Sequence, residues 1–237
     1  MDIATLLSQY AAGERQFQQV NLREADLLNL DLRAIDLSRA DLRQSRLGKT
    51  NFSHASFSQA DLSEALLWGT DLTAANLRQA VLREADLSGA KLMRADLDEA
   101  NLVKASLSGA NLVGASLIRT SLLEADLRSS SDQRTDLGQA VLTGADLSYA
   151  NLSTALLYQV NLAGAKLCRA NLSRKMQWSF FATDLSEANL RGADLSYADL
   201  TGAILRQADL TQADLTGTIL LDADLQGAIM PDGTVHD

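Results

Sequence analysis

An all-β solenoid is the fold class that this 237-residue sequence predicts. Three observations carry the prediction. A large apolar residue, nearly always Leu, recurs every fifth position. A small residue, mostly Ala, stands two places before it. The chain is 46% apolar but only 5% aromatic, so its core has to be built from Leu and Ala rather than from rings.

The stretch GADLSYADLTGAILRQADLTQADLTG, residues 192–217, shows the beat. Leu195, Leu200, Leu205, Leu210 and Leu215 keep step with Ala193, Ala198, Ala203, Ala208 and Ala213. Between Phe17 and Leu172 every slot except Asp132 is Leu or Phe, and every slot between Leu185 and Met230 is apolar. On an α-helix five residues advance about 500°, which scatters successive leucines around the axis. On a flat strand an odd step alternates faces. A short extended segment places Ala and Leu, two apart, on one face, and a bend before the next Ala repeats the arrangement. Segment and bend together wind a coil with both residues inside, and backbone hydrogen bonds stack the coils about 4.8 Å apart.

Leu87, Leu92, Leu97, Leu102, Leu195 and Leu200 are therefore core positions. Each such burial contributes about 1.5–3 kcal/mol. Small slots such as Ala85, Ala90 and Ala95 leave room for leucines across a narrow interior. An interior of this kind is full, which predicts no internal pocket and counts against an enzyme. No cofactor is expected. His54 and His236 are far apart, Cys168 is the single cysteine, and no metal cluster, Ser–His–Asp set or Gly-rich phosphate loop is visible.

The residue before Leu is most often Asp or Asn, whose side-chain oxygens bond nearby backbone N–H groups at bends. Gly often stands two after Leu, as at Gly89, Gly109, Gly114, Gly144 and Gly164, where a bend needs positive φ. Most of the Asp content thus belongs to the fold.

A solenoid has open ends. Ile3, Leu6, Leu7 and Tyr10 follow helical spacing, with Asp2 as N-cap and Gly13 as terminator. This predicts a helix over residues 2–12 that covers the first coil. It lacks a basic face, so it does not read as a membrane-surface helix. At the other end Pro231, in MPDGTVHD, predicts a halt to strand pairing and a bare coil. The expected organisation is a capping helix in residues 1–13 and one repeat domain in 14–237. A monomer or a weak end-to-end dimer is the expected assembly. No apolar run is long enough to span a membrane, the N-terminus lacks a basic start, and one cysteine suits a reducing compartment, which together predict a cytoplasmic protein.

Two breaks interrupt the beat, near residues 128–135 and 173–184. In the first, Asp132 falls on a core slot, where an unpaired carboxylate is costly. This predicts that residues 129–134 leave the wall as a loop. In the second the beat slips by three, and Trp178, Phe180 and Phe181 follow Lys166, Arg169, Arg174 and Lys175. Aromatic residues beside basic ones are typical interface anchors. They serve equally as a plug for a distorted coil. The net charge of −9 is uneven: residues 128–182 carry a net +3 and residues 183–237 a net −8.

The run ADLSYADLTGAILRQADL resembles the pentapeptide-repeat family, whose pattern is small–(Asp/Asn)–Leu–polar–polar, over nearly the whole chain. The resemblance implies a right-handed quadrilateral β-helix with four pentapeptides per coil. The rod then has about ten coils and a length of roughly 50 Å at strand spacing. On that assumption Arg23, Arg43 and Arg83 stack in one basic column with Ser63 between them. The stretches RLGKTNFSHASF at 46–57, SSSDQRTDLG at 129–138, CRANLSRKMQW at 168–178 and the final MPDGTVHD are similar to those of cyanobacterial family members that regulate heterocyst differentiation. This likeness implies a non-catalytic regulator that binds a control protein, either the heterocyst master transcription regulator or another protein of its inhibitory pathway. The contact would be carried by Asp132, Gln133, Arg134 and Trp178, with Lys166, Arg169, Arg174, Lys175 and Phe180 nearby. No direct nucleic-acid or membrane binding is expected. The alternative within the same family is a DNA-mimicking binder of DNA gyrase, against which the patchy charge argues.

Overall fold

From Gln16 onward, each residue that precedes a core leucine forms a parallel bridge with the residue one coil away. Gln16 pairs with Asp36, Asn21 with Asp41, Asp26 with Arg46 and Asp31 with Asn51. Each pairing spans four five-residue segments, which together make one coil with four walls. The walls are numbered here by these four pairs, from the first through Gln16 to the fourth through Asp31. The computed structural model describes residues 1–174 and 181–237. Each segment contributes a single bridged residue, so the walls are ladders of isolated bridges rather than multi-residue strands.

The bend chemistry is local. The Asp36 Oδ1 accepts the Ser38 backbone N–H at 2.9 Å, and Asn101 does the same for Val103 at 3.1 Å. The next residue is left-handed. Gly89 has φ +65°, but Gln79 and Glu84 at the equivalent position have φ +57°. The conformation therefore belongs to the fold and not to glycine alone. Left-handed backbone costs an L-residue about 1–2 kcal/mol. It is offset because it aims the N–H at the next coil, as in Gln79 N–H to Asp98 O at 2.9 Å.

Leu87, Leu92, Leu97, Leu102, Leu195 and Leu200 are fully buried in one continuous core with the small-slot alanines. Phe52 and Phe57 fill two slots edge to face, with centroids 5.1 Å apart. Where Thr replaces Ala, its hydroxyl finds a carbonyl. Thr70 donates to Leu47 O at 3.1 Å and Thr120 to Leu97 O at 2.7 Å. Among the described residues no buried side-chain polar atom lacks a partner.

α1 spans Ile3–Ala11. Asp2 Oδ1 accepts the Thr5 N–H at 2.9 Å, and Gly13 follows at φ +100°. Leu6 is fully buried, and Ile3, Leu7 and Tyr10 pack on the core, so the helix covers the first coil. The last coil is less covered: Ile219 and Leu221 are exposed and Leu215, Leu220 and Leu225 only half-buried. Pairing does not stop at Pro231 as expected. The chain turns through Gly233 at φ +86°, Met230 N–H bonds Thr234 O at 2.7 Å, and Val235 pairs antiparallel with Ile229. Proline favours a reverse turn here, and the tail doubles back along one edge of the open coil.

Two insertions change the register. Asn111 pairs with Asp136 and Leu156 with Asp184, and both steps are longer than the regular one. Between and after them the regular step returns, as for Asp136 with Leu156 and Asp184 with Ile204. The excess is one further repeat unit between Asp126 and Asp136, and a longer stretch between Asn171 and Asp184. Both depart where the third wall turns into the fourth. They share one corner of the rod, with a regular coil between them.

Candidate functional site

The first insertion folds against its own corner. Ser130 N–H bonds Gln133 O at 2.9 Å, and Gln133 N–H returns to Ser130 Oγ at 3.1 Å. Gln133 Nε2 donates to Gly109 O. Gly109 has no room for a side chain, since a Cβ would lie 2.7 Å from Ser130 Oγ. Asp132 is exposed, away from the core slot that the beat assigns to it, and accepts the neighbouring Ser131 hydroxyl at 2.9 Å.

Arg134 points the other way and ties the two insertions together. Its Nε donates to Thr154 O at 2.8 Å, and its terminal nitrogen to Ala155 O at 3.2 Å and to Ala182 O. Its guanidinium also lies 5.2 Å from the Phe181 ring centroid. Burial lowers its pKa from the ordinary value, with Asp184 and Asp136 acting in the opposite sense. An arginine remains charged through such a shift.

Both insertions re-enter the coil through a buried threonine. Thr135 Oγ1 donates to Arg128 O at 2.6 Å and accepts the Gly109 N–H at 2.8 Å. Thr183 Oγ1 donates to Leu152 O at 3.3 Å and accepts the Thr154 N–H at 2.9 Å. The intervening turn is covered from both sides, so Ser153 and Thr154 are buried where most equivalent residues are not. The sequence pattern had no way to show this: the Arg134 contact with Ala182 crosses 48 residues.

The basic candidates separate. Arg174 lies at the insertion corner with its side chain over Gly202, where a Cβ would meet it at 3.2 Å. Lys166 is exposed on the second wall. Arg169 stands at the corner between the second and third walls, between the rings of Tyr149 and Tyr197 at 5.9 and 5.4 Å. Lys175, Trp178 and Phe180 lie outside the described residues. Phe181 is exposed, at 56%. The basic column is neutralised: Arg43 pairs with Asp41 at 2.5 Å, Arg83 with Glu84 at 2.8 Å and Arg23 with Glu24 at 3.3 Å. His54 is exposed but stands at the corner between the fourth and first walls, at φ +61°, and among the described residues no group of His, Cys, Asp and Glu gathers as metal ligands. No helix among the described residues is long and apolar enough to cross a membrane.

Sequence reasoning passed over Tyr149 and Tyr197. The signal was the phrase DLSYA, which occurs at 146–150 and again at 194–198. It also passed over Trp68, exposed at the insertion corner, whose ring leaves no space for a Cβ on Gly48.

A four-walled coil of five-residue segments, with bridged Asp or Asn and buried Leu, defines a class of repeat solenoid. The chain belongs to the pentapeptide-repeat family: the family model for pentapeptide repeats matches eight copies, over residues 35–67, 60–98, 95–131, 135–174, 182–207 and 193–231. The family fold implies a right-handed β-helix. Among solved structures the chain is similar to HetL, a pentapeptide repeat protein involved in heterocyst differentiation regulation from the cyanobacterium Nostoc sp. strain PCC 7120. The identity is 62%, the match covers 100% of both chains, and the TM-score is 0.98. It is also similar to QnrB1, a plasmid-mediated fluoroquinolone resistance protein, at 18% identity over 88% of this chain and 89% of that one, with a TM-score of 0.47. A further pentapeptide repeat protein from Nostoc PCC 7120 matches at 40% identity over 50% of this chain and 79% of that one, with a TM-score of 0.21. Among curated proteins none matches the sequence.

Proposed function

We propose that the protein is a non-catalytic regulator of heterocyst differentiation that acts by binding a control protein through the corner where its two insertions meet. The observation that carries this reading is the 62% identity to HetL over both full chains, together with a core of fully buried leucines and alanines. The contact surface is the exposed tip at Ser131 and Asp132, with Gln133 beside it and Phe181 on the neighbouring insertion. Arg134 acts as a positioning residue, because its donors are engaged inside the chain. Lys175, Trp178 and Phe180 extend the same insertion. The heterocyst master transcription regulator, or another protein of its inhibitory pathway, is the partner proposed.

Deleting residues 130–134 tests the reading. The shortened chain reads ADLRSTDLGQA and restores the regular step, so the coil should close without the insertion. Expression of the full chain in a heterocyst-forming cyanobacterium should change heterocyst frequency and capture the regulator. The deletion variant should fold, with an unchanged circular dichroism spectrum, and do neither. Retained regulation by a folded deletion variant sinks the proposal. The gyrase reading requires a continuous anionic rod, and residues 128–182 interrupt it with a net +3. A supercoiling assay with purified protein is expected to show no effect on gyrase.

A further inference from the structure

The corner between the second and third walls carries a single column of turn residues. Glu84, Lys104, Glu124, Tyr149, Arg169, Tyr197 and Gly217 follow one another along it by the coil register. Its N-terminal part is self-satisfied, with Lys104 paired to Glu124 at 3.7 Å. Farther along, the chemistry changes. The Tyr197 ring packs against Gly217, where a Cβ would sit 2.8 Å from ring atoms. Arg169 is held between Tyr197 and Tyr149. Both rings are more than half exposed, at 56% and 55%.

Arg169 makes no ion pair with any described residue, unlike Arg23, Arg43, Arg83 and Lys104 at the same corner. The Arg169 guanidinium carbon lies over both rings, within cation–π reach of each. No described residue accepts a hydrogen bond from its side chain, and a guanidinium matches a carboxylate in bidentate geometry. Tyr and Arg are also the residues that dominate binding energy at protein interfaces. Lys166, three residues earlier on the adjoining wall, adds a second cation with no ion pair among the described residues.

We propose that Tyr149, Arg169 and Tyr197 form a docking site for an acidic segment of a protein partner, with an Asp or Glu carboxylate seated on the edge of Arg169. This surface lies across the third wall from the insertion corner and does not depend on the regulatory reading. Nucleic acid is the poorer occupant. Phosphodiester binding gains from neutralising several charges at once. Here the described residues place two cations at the site, which suffices to seat a single carboxylate but not to neutralise a run of phosphates.

The test is a titration of the full chain with a capped hexaglutamate peptide, followed through the arginine Nε–H resonances, with hexalysine and a twelve-residue oligothymidylate as comparison probes. Hexaglutamate is expected to shift the Arg169 signal saturably, hexalysine to leave it unmoved, and the oligonucleotide to bind more weakly. Arg169→Ala should weaken hexaglutamate binding about tenfold, as loss of a charged hydrogen bond implies. Arg169→Lys should recover part of the loss, and neither variant should change the melting temperature. The proposal is overturned by absence of saturable binding or by equal binding to Arg169→Ala. It is equally overturned by tighter binding of the oligonucleotide. Concentration-dependent self-association abolished by Arg169→Ala would also overturn it, by showing that the occupant is a second copy of this chain.

Discussion

Arg134 and Ala182 stand 48 residues apart in the chain, and the guanidinium of one donates to the backbone carbonyl of the other. The contact spans three successive coils, since the same guanidinium also holds Thr154 and Ala155 between them. Two insertions that look unrelated in sequence thereby become one surface.

Arg134→Ala should loosen that surface without opening the rod. Hydrogen bonds to charged groups contribute about 1.5–3 kcal/mol, and the lost bonds lie outside the leucine core. Hydrogen exchange should accelerate at 129–134 and 181–183 and stay unchanged at Leu97 and Leu102. Arg134→Lys should not rescue it, because one ammonium cannot reproduce the planar fork.

Thr183→Val should be more damaging than its size suggests. The substitution conserves shape but leaves the Thr154 N–H, now bonded at 2.9 Å to Thr183 Oγ1, buried without a partner. The expected cost is about 1–3 kcal/mol in urea unfolding. Thr183→Ser keeps the hydroxyl and should lose less than half as much.

Gly109→Ala and Gly164→Ala separate backbone strain from loop contact. Both residues are left-handed, at φ +69° and +63°, but a Cβ at Gly164 meets nothing within 4 Å. Alanine occupies equivalent turns at Ala34 and Ala74, so the fold tolerates it. Gly164→Ala should cost about 1 kcal/mol, the left-handed penalty alone. Gly109→Ala should cost more and expose residues 129–134 to protease. Equal effects would show that the insertion does not rest on Gly109.

Stability should fall on acidification below about pH 4, the ordinary aspartate range. The hydrogen bond from Arg43 holds Asp41 below its ordinary pKa, the Thr216 hydroxyl does so for Asp214, and Arg206 for Asp224. A folded-state pKa below the unfolded one gives stability that is complete above the unfolded value and is lost as pH drops through the folded value. Urea midpoints should be flat from pH 7 to 5 and decline toward pH 3. Asp214→Asn keeps an acceptor for Thr216 N–H, now bonded at 2.9 Å, and should make the decline shallower.

The coil, its leucine core, the Asx-type bends and the helix over the first coil were legible in the sequence because each follows from residues within five positions of one another. The exposure of Asp132 was legible for the same reason, since a carboxylate on an apolar beat has to leave it. The meeting of Arg134 with Ala182, and the placing of Arg169 between Tyr149 and Tyr197, were decided only by the tertiary structure. Neighbours along a solenoid are one coil apart, and the length of chain in a coil varies with how much of it each insertion removes from the wall. A local pattern records the beat but not the length of chain that steps out of it, so which side chains share a corner emerges only when the coils are stacked.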